Sequence, residues 1–91
     1  MKLGPNTDIV FGDVDGQIVA LNMNSGKYLH LNATGTFIFN VLRESGPQTL
    51  EWLLGRVEED YDVEPTMCRK EVGAFVERCI SLDLLRAEEK R

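Results

Sequence analysis

Lys27-Tyr28-Leu29-His30-Leu31-Asn32-Ala33-Thr34-Gly35 is the stretch in which the chain changes its period. Up to Leu31 the residues alternate, with Leu29 and Leu31 on one side and Tyr28 and His30 on the other, as in a half-buried strand. Beyond Asn32 the apolar residues Phe37, Ile38, Val41 and Leu42 recur at helical spacing, and Asn32 stands where a helix N-cap is needed. Thr34 and Gly35 are weak helix formers, so the later residues carry this helix.

Upstream, Asp13-Val14-Asp15-Gly16 and Asn22-Met23-Asn24-Ser25-Gly26 are turn signals. They separate Ile9-Val10-Phe11, Gln17-Ile18-Val19-Ala20-Leu21 and Lys27 to Leu31, three short runs rich in β-branched or aromatic residues. Such runs predict three antiparallel strands joined by hairpins. Downstream, Ser45-Gly46-Pro47 ends the first helix. Thr49 caps a second, with Leu50, Leu53, Leu54 and Val57 on its buried stripe and Glu51 favourably near its positive end. Asp62-Val63-Glu64-Pro65 leads into a third helix over about 65–82, Pro65 taking a tolerated first-turn position. Its apolar face carries Cys68, Val72, Phe75, Val76 and Cys79, with Arg69 and Ile80 at one margin and Gly73 just beyond. Leu84 and Leu85 are expected to pack back onto the core, and Glu88 to Arg91 to fray. The expected fold is α+β: a three-stranded antiparallel sheet followed by three helices, winged-helix-like, in one domain over 1–91 with its core at about 8–86 and flexible ends.

The chain has 91 residues, 43% of them hydrophobic and 27% charged, as in an ordinary globular domain. Its longest apolar run is four residues, Ile18 to Leu21, and Met1 to Asn6 lacks the apolar stretch of a secretory signal, so no membrane association and a cytoplasmic location are expected. A net charge of −5 makes phosphate backbones poor partners. Cys68 and Cys79 lie about 16 Å apart along one helix, beyond disulfide reach, and read as packing residues.

Catalysis needs a nucleophile, an acid/base pair or a metal around a pocket. The sole histidine, His30, lies on a strand face opposite the apolar one. Glu58-Glu59-Asp60 falls at a helix end as a solvated acidic patch. Neither glycine-rich phosphate signature is present. A binding protein with no catalytic residue, metal or cofactor is the expectation. An open sheet edge can recruit a peptide as an added strand, its backbone giving affinity and side-chain pockets giving selectivity. In the third strand, Tyr28 and His30 direct their N–H groups one way and Leu29 and Leu31 the other. One set serves the second strand and the other faces the open edge.

The run from Ile18 to Gly35 resembles the PqqD-like family: a hairpin with Gly26-Lys27-Tyr28 near the third strand, then Leu31-Asn32-Ala33-Thr34-Gly35 opening a helix. Thr49-Leu50-Glu51 starting a helix, Tyr61-Asp62-Val63 ending it and a long helix closing with Leu82-Asp83-Leu84-Leu85 extend the likeness to residues 9–85. Ala33 stands where an acidic residue is frequent, and Asp83 where a glycine is frequent. The resemblance implies a precursor-peptide recognition element for ribosomally made, modified peptides. In that family a leader peptide adds beside the third strand, in the cleft against the third helix. Carried onto this chain, the leader-binding residues would be Lys27, Tyr28, Leu29, His30 and Leu31 on the strand, with Arg69, Val72, Gly73, Val76 and Ile80 on the helix. The implied partners are a leader segment, with a leader protease and a macrolactam synthetase as in lasso-peptide maturation. The alternative is service to a radical S-adenosylmethionine enzyme, as in pyrroloquinoline quinone synthesis. A more distant alternative is a winged-helix nucleic-acid binder, which the acidic balance disfavours. The open edge also allows a homodimer through the strand itself.

Overall fold

A computed structural model describes residues 2–88. In chain order the elements are β1 (Lys2–Pro5), β2 (Ile9–Val14), β3 (Gln17–Asn22), β4 (Tyr28–Leu31), α1 (Ala33–Ser45), α2 (Leu50–Asp60), α3 (Pro65–Ser81) and β5 (Leu85–Glu88). The expected three-stranded sheet is present as β2-β3-β4, and the three helices follow it. The solution is α+β, with a second, two-stranded sheet of β1 and β5 that the sequence pattern did not reveal.

That second sheet corrects the expected limits of the core. Leu3 is buried within the central apolar cluster beside Leu84 and Leu85, so the core starts at residue 3 rather than near 8. β1 also bonds to the α1–α2 connection: the Leu3 N–H donates to the Gln48 carbonyl (2.7 Å) and the Gln48 N–H to that of Leu3 (3.0 Å). Glu88, expected to fray, pairs with Lys2 at the end of β5, while the rest of that tail, 89–91, lies outside the described residues. No helix among the described residues is long and apolar enough to cross a membrane.

Caps set the helix starts where expected. Asn32 accepts from the Gly35 N–H (2.8 Å) and Thr49 from that of Trp52 (3.1 Å). Glu64 caps α3 through its carboxylate, accepting from the N–H groups of Thr66 (3.1 Å) and Met67 (3.0 Å), and these donors hold its carboxyl below the usual glutamate value. A carboxyl with a lowered folded pKa stabilises the fold above its ordinary pKa and loses that contribution as pH falls through the lowered value. Thermal melts of the parent and Glu64→Gln should differ at pH 7 and converge toward pH 3. A gap that stays constant would mean that the cap works without its charge.

α3 ends in a Schellman turn: the Leu84 N–H donates to the Cys79 carbonyl (2.8 Å) and the Asp83 N–H to that of Ile80 (3.1 Å). This places Asp83 at φ 59°, a left-handed conformation that glycine adopts most readily. The position where the resemblance leads one to expect glycine is thus the one where the backbone calls for it.

The β2-β3-β4 sheet turns Phe11, Ile18, Ala20, Leu29 and Leu31 toward the helices, where Phe11 meets Phe39 edge-on at 5.3 Å between ring centres. Its other face carries Val10, Val19, Leu21, Tyr28 and His30.

Candidate functional site

β4 is an edge strand: it pairs with β3 through Leu21↔Tyr28, Ala20↔Leu29, Val19↔His30 and Ile18↔Leu31, and no described strand lies on its other side. The hydrogen bond from the Asn22 N–H to the Lys27 carbonyl (2.9 Å) sets the phase of this ladder. Bonded and non-bonded pairs alternate in an antiparallel ladder, so Leu29 and Leu31 spend their backbone groups on β3. Tyr28 and His30 direct their N–H and C=O groups outward. The outward set that the sequence left open is therefore Tyr28 and His30.

Their side chains rise on the outer sheet face. Tyr28 is 59% exposed and meets His30 edge-on, with ring centres 6.1 Å apart, and His30 Nδ1 lies 3.1 Å from Gln17 Oε1. Leu31 is buried and Leu29 half-buried, both on the core side.

The far wall is α3, and two connections place it. At the Lys27 end, Asn22 Nδ2 donates to the Asp83 carbonyl (2.6 Å) and Lys27 Nζ lies 3.4 Å from Asp83 Oδ2. Asn22 is itself buried, and its Oδ1 accepts from the N–H groups of Asn24 (2.8 Å) and Ser25 (3.0 Å), so one side chain organises the β3–β4 turn and fastens it to the end of α3. At the Leu31 end, a Cβ added to Gly35 would stand 2.8 Å from Phe75 Cε1, so α1 starts directly against α3. The glycine in that first helical turn is a packing requirement. β4 and α3 thus run alongside in opposite directions, fastened at the Lys27–Asp83 end.

This arrangement distinguishes the two margins of α3. Arg69 points to α2, where its guanidinium meets the Glu51 carboxylate in a bidentate pair (2.9 and 3.0 Å). Helical spacing puts Gly73, Val76 and Ile80 on the same stripe as Arg69. Val72 and Val76 are buried in the core, at 2% and 5% exposure. The opposite stripe, Glu71, Phe75, Arg78 and Leu82, includes the residue that meets the start of α1. Phe75 was not among the helix residues expected at the site, and Gly35 was the signal that something had to lie against that turn.

Between the start of α1, the end of α2 and this stripe lies a cavity of about 130 Å³. Ile38, Val57, Cys68 and Val72 are buried in its lining, and the exposed Asn32 and Glu71 mark its mouth. Burial raises both thiols above the usual value, Cys79 to about 12, so each remains protonated at neutral pH. Both act as packing groups.

Among known proteins, the sequence profile of a family described as coenzyme PQQ synthesis protein D matches residues 17–85. No curated protein matches the sequence significantly. Two solved structures share the fold at 21% identity. TbiB1 in complex with the TbiA(beta) leader peptide superposes with a TM-score of 0.76 over 96% of this chain and 99% of its own. Lasso peptide synthetase B1 complexed with the leader peptide gives 0.75, over 96% of this chain and 100% of its own.

Proposed function

Since this chain belongs to the PqqD family, we propose that it is a non-catalytic, cytoplasmic leader-peptide-binding protein that captures a precursor peptide along β4 and delivers it to the enzymes that mature it. The observation that carries this reading is the open edge of β4, where Tyr28 and His30 offer unpaired backbone groups beside an α3 wall. Solved complexes with a leader peptide on the same fold support it. The lasso-peptide pathway is favoured because lasso peptide synthetase B1, solved with a leader peptide, shares the fold over 96% of this chain. Service to a radical S-adenosylmethionine enzyme is the second reading, supported by the family's description in coenzyme PQQ synthesis.

Energetics bear on how the peptide is held. At about 0.5–1.5 kcal/mol net per hydrogen bond, two outward residues supply only about 2–6 kcal/mol, before the cost of immobilising the peptide. Micromolar affinity needs about 8 kcal/mol, so side chains must add to the backbone bonds.

Titration of this protein with a labelled precursor, its leader segment alone and its core segment alone tests the proposal. The leader should bind as tightly as the whole precursor and the core should not bind, because strand addition needs only a short extended segment. Equal affinity for the core segment would refute leader recognition.

The two margins of α3 should also separate. Arg69→Ala removes a group committed to α2, so leader affinity should stay within about twofold of the parent. A tenfold loss in a folded Arg69→Ala protein would return that margin to the binding surface.

A further inference from the structure

The edge of β4 is short, and a concavity with a buried apolar floor opens just past its end. Asn32, the residue after β4, stands at the mouth of the cavity formed by α1, α2 and α3. We propose that this cavity is an anchor subsite taking one apolar side chain, of leucine to phenylalanine size, from the peptide bound along β4. The inference rests on the edge-binding reading and adds a feature of the ligand to it.

Three observations support it. The volume of about 130 Å³ is close to that of a void of about 150 Å³ that accommodates benzene in another protein. The floor is Ile38, Val57 and Val72 with the protonated Cys68 thiol, which offers no charge to a polar guest. The Glu71 carboxylate at the mouth disfavours an acidic residue at the anchoring position. Left empty, such a space forfeits the contacts that a close-packed interior would make. A peptide strand along β4 passes the mouth as it leaves the Leu31 end, so the subsite also fixes the register, which two outward residues alone leave free to slip.

A phage-displayed library of random twelve-residue peptides, selected on the parent protein, supplies the probe. The enriched peptides should share one Leu, Ile, Met or Phe whose replacement by Ala weakens binding at least tenfold. Thr34→Phe and Val63→Phe fill the cavity from two sides, and each should weaken the enriched peptides at least tenfold. The Ala-substituted peptide should bind parent and filled proteins alike. Methyl resonances of Val57 and Val72 should shift with the enriched peptide and not with its Ala variant, which tests occupancy without any protein substitution. Unmoved methyls, or filled and folded variants with parent affinity, overturn the subsite. Peptides that fail on His30→Pro but ignore the filling leave edge binding standing and remove the anchor. Peptides indifferent to His30→Pro, or no enrichment at all, overturn the edge reading and the subsite with it.

Discussion

His30→Pro should leave the domain folded and weaken leader binding at least a hundredfold, and Tyr28→Pro should do the same. Both residues direct their N–H away from β3, as the Asn22–Lys27 hydrogen bond requires. Proline there removes no internal bond, and strand backbone tolerates its fixed φ on an open edge. The ring, however, occupies the place where an incoming carbonyl must approach, so a bond is lost and the neighbouring ones are forced apart. A hundredfold corresponds to about 2.8 kcal/mol. Leu29→Pro is the contrasting case. It deletes a ladder bond to Ala20 and a half-buried side chain packed on the core, and should cost about 3 kcal/mol or more in stability. Circular dichroism and peptide titration on all three variants check the parity. If His30→Pro and Tyr28→Pro fold and bind the leader normally, the peptide does not add at β4.

Asn22→Asp should destabilise the domain by about 3–5 kcal/mol at pH 7. The amide that donates to the Asp83 carbonyl at 2.6 Å becomes a buried carboxylate facing that oxygen. A domain of this size has about 5–14 kcal/mol in total, so the change is a large part of it. Asn22→Ala, which only removes hydrogen bonds, should cost less, about 2 kcal/mol, since Asn6 Nδ2 also donates to the Asp83 carbonyl (3.1 Å). The introduced carboxyl regains a donor when protonated, so the Asn22→Asp gap to the parent should narrow as pH falls. Urea denaturation at pH 7 and pH 4.5 measures both effects. An Asn22→Asp protein as stable as Asn22→Ala at pH 7 would show that Asn22 does not fasten the β3–β4 turn to α3.

The main sheet and the three helices were legible because each has a local cause: alternation in Tyr28 to Leu31, caps at Asn32 and Thr49, a proline at the start of α3. The β1–β5 pair was not. Lys2-Leu3-Gly4-Pro5 has one large apolar residue between poor strand formers, and Leu85-Arg86-Ala87-Glu88 has one large apolar residue followed by two charged residues and an alanine, none a favoured strand former. Each becomes a strand only because the other is brought to it by the fold between them. The strand half of the candidate site was likewise local. The helix half depended on which margin of α3 turns toward β4, and periodicity defines a broad face without orienting it. Contacts distant in sequence decide that: Glu51 with Arg69, Gly35 with Phe75, Asn22 with Asp83.

The β1–β5 ribbon also governs how such a unit can be wired into larger architectures. Lys2 and Glu88 are directly opposed in the ladder, about 5 Å apart at their Cα atoms, so the polypeptide enters and exits through a single doorway. A unit with that property can be spliced into a surface loop of a host protein without stretching it, or have its ends joined by a few residues and be reopened elsewhere. The same doorway fixes the leash: cargo tethered at either place swings from one common pivot.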